Sequence, residues 1–319
     1  MKVLIVSAAM AVGILAPFAQ SAEPTPAPLQ LKGTQIQKTL TLVRAKTPHI
    51  VTGEYAVPEG SELTLEAGTE IAFAKDAGLT IRGVLQIKGT EAAPVILAGK
   101  VTGTAAWQGL RINKSPSTVI TFVRITGAQI AIYVNASKPT IENAILTANT
   151  VGLHAGEYGS GSHPNLTNCL ITRNKDDGIV LVGSSATLDH CTIFRNGGWG
   201  IRGEYYASPT ITWSSITENK KGGVWCRLYT CKAEAHNCVF LKNANCDVFN
   251  DSPEQWDFSG NWWGSAATQL LQKKGDTANL QSIRDGRDPG TTGLGEVRVF
   301  GFLEKEPNKC GSTRTLKVN

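Results

Sequence analysis

Between residues 139 and 243 the chain repeats one pattern of apolar and polar positions five times without gaps, over 139–149, 164–174, 186–196, 209–219 and 233–243. Each segment closes on asparagine (Asn149, Asn174, Asn196, Asn219, Asn243), at spacings of 25, 22, 23 and 24 residues. A few residues later, four of them resume with glycine and an apolar residue: Gly152-Leu153, Gly178-Ile179, Gly200-Ile201 and Gly223-Val224. Apolar positions alternate over short stretches, a helical period is absent, and each unit is too short for a crossover helix. The pattern predicts coils of short strands, stacked about 4.8 Å apart and paired in parallel, which bury a core together. Leu146, Ile171, Ile193, Ile216 and Phe240 then form one inward column, and Ile141, Leu166, Leu188, Ile211 and Ala235 another. Between these columns the alternation breaks at Asn143, Asn168, His190, Trp213 and Asn237, where the chain must turn a corner.

Upstream, the stretches from Leu63 and Leu79 alternate strictly, and Gly89-Thr90 leads through Ala93-Pro94-Val95 to Trp107-Gln108-Gly109-Leu110. Near the end stand Asn261-Trp262-Trp263-Gly264, then Ile283-Arg284-Asp285. With these elements the chain, over roughly residues 50–303, resembles the right-handed parallel β-helix repeat proteins of the pectin-lyase-like group. The resemblance implies an all-β, single-stranded right-handed parallel β-helix (solenoid) with a C-terminal capping tail. It says little about chemistry, because that fold hosts lyases, hydrolases, epimerases, adhesins and proteins of no known activity.

The first 22 residues, with Lys2, an apolar run from Val3 to Phe18 and small residues to Ala22, have the make-up of a signal peptide. They imply a secreted or periplasmic protein with no transmembrane segment. The expected organisation is a proline-rich spacer over 23–35, the β-helix over 36–264 and the capping tail over 265–319, in which Ala266–Lys274 has the composition of a short helix. Trp262 and Trp263 are expected to close the core end or pack under the tail. The charge balance, 31 basic against 26 acidic residues, admits acidic polymers without selecting a partner. Seven cysteines in an exported chain suggest disulfides. Cys169, Cys191 and Cys238 share one column and read as small core residues. Cys226 and Cys231 are candidates for a local disulfide, with Cys246 and Cys310 as rival partners.

The asparagine column reads as structural, a stack of turn amides satisfying one another. Arg173, Arg195, Glu218 and Lys242 beside it read as solubilising surface, and nucleic acid is not an expected partner. Asp176 and Asp177 are the closest approach to a catalytic acidic pair, weighed against a solvated turn. The resemblance would ask polygalacturonases for a further aspartate motif and a Gly-His-Gly, and pectate lyases for carboxylates around calcium; neither set can be recovered, and no cofactor or metal site is identified. The histidines, scattered over different columns, read as surface or turn residues, with His49 before the coils. Parity turns His154, Val180, Arg202 and Trp225 outward in one column, and Gly156, Val182, Glu204 and Arg227 in the next. Beside them lie Glu157, Tyr158, Tyr205 and Tyr206. Rings, carboxylates and guanidiniums on one face can stack on sugars and bind their hydroxyl or carboxylate groups. Glu157 and Glu204, two coils apart, could approach an inverting-glycosidase separation; against this, Glu204 could simply pair with Arg202 and Arg227. The leading expectation is a monomeric secreted protein that binds or processes polysaccharide, a uronate-containing or cell-surface glycan included, as a lyase or glycoside hydrolase if an enzyme. The alternative is a non-catalytic structural or adhesive β-helix.

Overall fold

A computed structural model of the chain describes residues 25–33, 38–101, 103 and 105–316; the expected signal peptide lies outside the described residues. From Glu62 to Asp251 each coil carries three short strands, for example Asn165–Thr167, Leu170–Thr172 and Ile179–Val182. The first joins an 11-stranded sheet, and the other two join a 19-stranded sheet folded along the asparagine turn. Every pairing between coils is parallel, and the solenoid is right-handed, as parallel crossovers are.

The register stacks the expected columns. Leu146, Ile171, Ile193, Ile216 and Phe240 are consecutive partners, as are Ile141, Leu166, Leu188, Ile211 and Ala235. Both columns are fully buried. The corner residues Asn143, Asn168, His190, Trp213 and Asn237 all sit in the left-handed region, with φ between 46 and 57°. That reverses side-chain parity in one residue. In the glycine column, a Cβ at Gly152, Gly178, Gly200 or Gly223 would stand 2.2–2.8 Å from a carbonyl oxygen of the next coil, so no other residue fits.

The asparagines form a buried ladder. Asn174 Nδ2 donates to Asn196 Oδ1 at 3.0 Å and to the Leu146 carbonyl at 3.2 Å, while Asn196 Oδ1 also accepts from the Asn174 amide at 3.1 Å. The arrangement recurs from Asn149 to Asn243. At the far end Asp247 takes the last acceptor place, from Asn243 Nδ2 at 2.8 Å. The left-handed residue of this turn is the one before the asparagine: Ala148, Arg173, Arg195, Glu218 and Lys242, each with φ of 54–58°.

Paired strands run beyond residues 36–264 at both ends. Gln30–Gly33, within the expected spacer, pairs with His49–Val57 and buries Leu31. His49 is therefore inside the coils and buried, its Nδ1 accepting from the Leu29 amide and its Nε2 bonding the Val43 carbonyl, contrary to the surface reading. Beyond Gly264 come the helix Ser265–Lys274 and two short strands, Ile283–Arg284 and Val297–Arg298, each pairing with the last coil. Trp263 stacks on Phe240 with centroids 5.0 Å apart, closing the core end. The final segment then turns back along the outside. Cys310 Sγ lies 3.6 Å from the Asn237 carbonyl, Gly311 donates to Trp213, Ser312 bonds Thr192 and Asn168, and Arg314 reaches Phe122. It crosses the outward column that contains Ile145, Leu170 and Val239, which parity would expose and which are buried.

Candidate functional site

The outer face of the third strand in each coil carries one register column: Arg111, Tyr133, His154, Val180, Arg202, Trp225, Phe249 and Arg284. Its members interlock in two groups, one on each side of Val180 and Arg202. Arg111 lies 4.8 Å over the Tyr133 ring, which meets the His154 ring at 5.4 Å. Trp225 stacks on Trp199, at 5.3 Å, and on Phe249, at 6.2 Å, and the Arg227 guanidinium lies 4.8 Å from its ring centroid. Arg284 closes the row 4.7 Å over Phe249. Val180, 1% exposed, is covered by its neighbours. Next to the far end of the row, a cleft of about 500 Å³ opens between Trp199, Phe249 and Arg284 and the returning Gln281 and Asp288.

A polar network binds the middle of this face. Arg202 Nε donates to Asp177 at 2.7 Å, and its Nη1 donates to Glu204 at 2.9 Å. Arg227 reaches the same Glu204 oxygen at 2.8 Å. Asp177 also accepts from the Trp199 amide at 2.7 Å and is buried. It is thus a structural anchor rather than a solvated turn residue, because the adjacent strand supplies two donors to it. Asp176 is more exposed, 3.5 Å from Lys221. Burial works against the Arg202 charge, but Asp177 and Glu204 outweigh it and raise its pKa.

Glu157 and Glu204 do not share a column: the strand that precedes Glu157 ends its pairing with Ala155 opposite Leu181, two residues before Glu157, whereas Glu204 pairs with Val182. Glu157 accepts from the Tyr133 hydroxyl, whereas Glu204 turns toward Arg202 and Arg227. Burial, assisted by that bond and by the Glu157 charge, pushes the Tyr133 phenol up to about 12. His154 lies within electrostatic reach of Arg202, Glu157 and Glu204, and burial holds its imidazole below the usual histidine value.

At the edge of the face, the loops bring four tyrosines together. Tyr158 meets Tyr205 edge-on at 5.5 Å, and Tyr206 stacks on Tyr229 at 5.2 Å. Tyr158, Tyr206 and Tyr229 are 69, 50 and 54% exposed. Tyr205 and Tyr206 have φ of 51 and 68°, and one coil on, Leu228 and Tyr229 have 66 and 54°. Two consecutive left-handed residues are ordinarily served by Asn-Gly; placing bulky side chains there costs on the order of 1 kcal/mol or more each. Cys226 and Cys231 are buried thiols flanking the second of these turns, Cys246 is in the cleft wall and Cys310 lies against Asn237. Among the described residues no three His, Cys, Asp or Glu side chains gather as metal ligands, and no helix is long and apolar enough to cross a membrane.

Of the residues singled out in the sequence, Arg202, Glu204, Trp225 and Arg227 meet on adjacent coils, His154 stands two coils from Arg202 in the same column, and Tyr158, Tyr205 and Tyr206 form the neighbouring corner. Phe249 and Arg284 extend the column beyond the repeats. Phe249 follows Trp225 by one coil length, which is the signal that could have found it. Trp199 comes from a different column and had none.

The sequence matches the family described as right handed beta helix region over residues 84–240 and 157–262. Protein bark beetle of Drosophila melanogaster is 26% identical over 140 residues, which are 40% of this chain and 4% of that protein. Full-length tailspike protein 2 from Escherichia coli O157:H7 bacteriophage CAB120 is similar in structure, with a TM-score of 0.56 at 13% identity over 83% of this chain and 37% of that one. The chain spans a small part of either protein, and the structural likeness is one of fold.

Proposed function

The chain belongs to the right-handed β-helix family, and from that premise we propose that it is an exported glycan-recognition protein whose binding surface is the outer face of the third strands. The observation that carries this reading is a pair of ring-and-guanidinium clusters along one register column, Arg111–Tyr133–His154 and Trp225–Phe249–Arg284, beside an exposed tyrosine corner. Rings offer faces to sugar C–H surfaces and guanidiniums offer paired donors to hydroxyl or carboxylate oxygens. Arg111 and Arg284 stack on rings and enter no ion pair among the described residues, which favours a polymer with carboxylated units. The signal-peptide-like start supports a location outside the cytoplasm.

Recognition is favoured over cleavage. Glycoside hydrolysis needs two carboxyl groups flanking one bond, and here Glu204 is tied to two arginines, Asp177 is buried against Arg202, and Glu157 turns to Tyr133. The test is affinity electrophoresis and calorimetry with neutral and acidic polysaccharides, with product analysis alongside. Binding without new chain ends is expected, and Trp225→Ala should weaken it by about tenfold or more, the scale of a buried aromatic contact. Binding to none of the glycans, or binding indifferent to Trp225→Ala and Phe249→Ala, would leave a structural rod as the better description.

A further inference from the structure

Where the C-terminal segment comes to rest, a second cleft of about 520 Å³ lies between the turn Glu91–Pro94, the strand residues Ile96 and Arg124, and Thr313–Thr315. Two guanidiniums enter it from opposite elements. Arg124 projects from the strand Val123–Thr126, and Arg314 arrives with the tail, its side chain only 12% exposed and 5.0 Å over the Phe122 ring. The Nε atoms of both are buried without a hydrogen-bond partner among the described residues. The acid paired with this cluster is Glu91, 3.5 Å from Arg314 Nη1 and 85% exposed, so its charge is largely screened by water. Leaving buried charged donors unmatched costs free energy, and two convergent guanidinium forks around a cleft are the chemistry that recognises an oxyanion.

We propose that Arg124 and Arg314 form a binding site for an oxyanion group of the sulfate or phosphate type, assembled only when the tail is docked. The site lies apart from the glycan face and does not depend on that reading. The strand supplies one guanidinium and the tail the other, so an anion held by both fastens the tail to the coils. Binding and tail docking are thereby linked, each favouring the other. The group has two sources, a free inorganic ion or a substituent on a sugar, and the chemistry is shared.

The test titrates the full chain with sodium sulfate, sodium phosphate and a sulfated monosaccharide, with sodium chloride at matched ionic strength as reference. It reads calorimetric heat, thermal midpoint and the rate of proteolysis after Lys309. Saturable binding is expected with at least one oxyanion, together with a raised midpoint and slower tail cleavage. Arg314→Gln and Arg124→Gln should each weaken the affinity by about tenfold or more, the loss of one charge-assisted bond. Arg314→Lys, which keeps the charge but not the fork, should recover part of it. Response to the inorganic ions with none to the sugar assigns a free ion; the reverse assigns a glycan-borne group. Proteins that fold normally yet respond to oxyanions no more than to chloride, or variants that bind like the parent, would overturn the proposal.

Discussion

At the residue scale, the asparagine ladder shows how a stack with little helical structure fixes its register. Asn196 accepts from the Asn174 amide and side chain and donates to the Ile171 carbonyl and Asn219, all in buried surroundings. Asn196→Ala strands these partners, so a loss of about 3 kcal/mol or more is expected in urea denaturation, against about 0.5 kcal/mol for the neighbouring exposed Arg195→Ala. Asp247 ends the ladder, and burial raises its carboxyl pKa despite the hydrogen bonds from Asn243. Its folded pKa therefore exceeds the unfolded one. The protonated group favours folding below the ordinary carboxylate range, and that contribution disappears as pH rises through the raised value. Asp247→Asn keeps the acceptor without the charge. Its midpoint relative to the parent should rise as pH increases above the ordinary carboxylate range; a flat difference would mean that the carboxylate carries no burial cost. The ladder was legible in the sequence, but its left-handed partner was not. Ala148, Arg173 and Glu218 carry no turn signature, because the amide ladder, not their own preference, imposes the conformation.

At the element scale, the tyrosine turns and the returning tail are the features with most consequence. Tyr206 combines a left-handed backbone with a half-exposed ring. Tyr206→Gly and Tyr206→Ala both remove it, but glycine alone relieves the positive φ. The glycine variant should be about 1 kcal/mol more stable than the alanine variant, while both lose glycan affinity equally. Equal stabilities would show that the turn is not strained. Truncation before Cys310 uncovers the column of Ile145, Leu170 and Val239, so faster amide hydrogen exchange is expected in the strand Leu170–Thr172, with a lower thermal midpoint. The tail's path escaped the sequence reading for a physical reason. Its contacts run through Gly311, Ser312 and Thr313 backbone and hydroxyl groups, which leave no hydrophobic period.

For the whole molecule, one period explains the architecture: equivalent residues of successive coils lie above one another, and inside and outside follow from position within the repeat. That is why the core columns, the corner at Asn168 and His190, and the outward arrangement of His154, Arg202 and Trp225 could be read from the chain. Convergence between columns could not. The Trp199–Trp225 stack joins neighbouring strands because Gly222, in register with Trp199, leaves room for the ring. The most direct measurement of the proposed glycan face is hydroxyl-radical footprinting of the intact protein with and without a bound polysaccharide. Tyr158, Tyr206, Tyr229 and Trp225 should be protected, while Trp213, 37% exposed at another corner of the coil, stays as reactive as before. Protection of Trp213 with the tyrosine corner unchanged would contradict recognition by the face of Trp225 and Arg284.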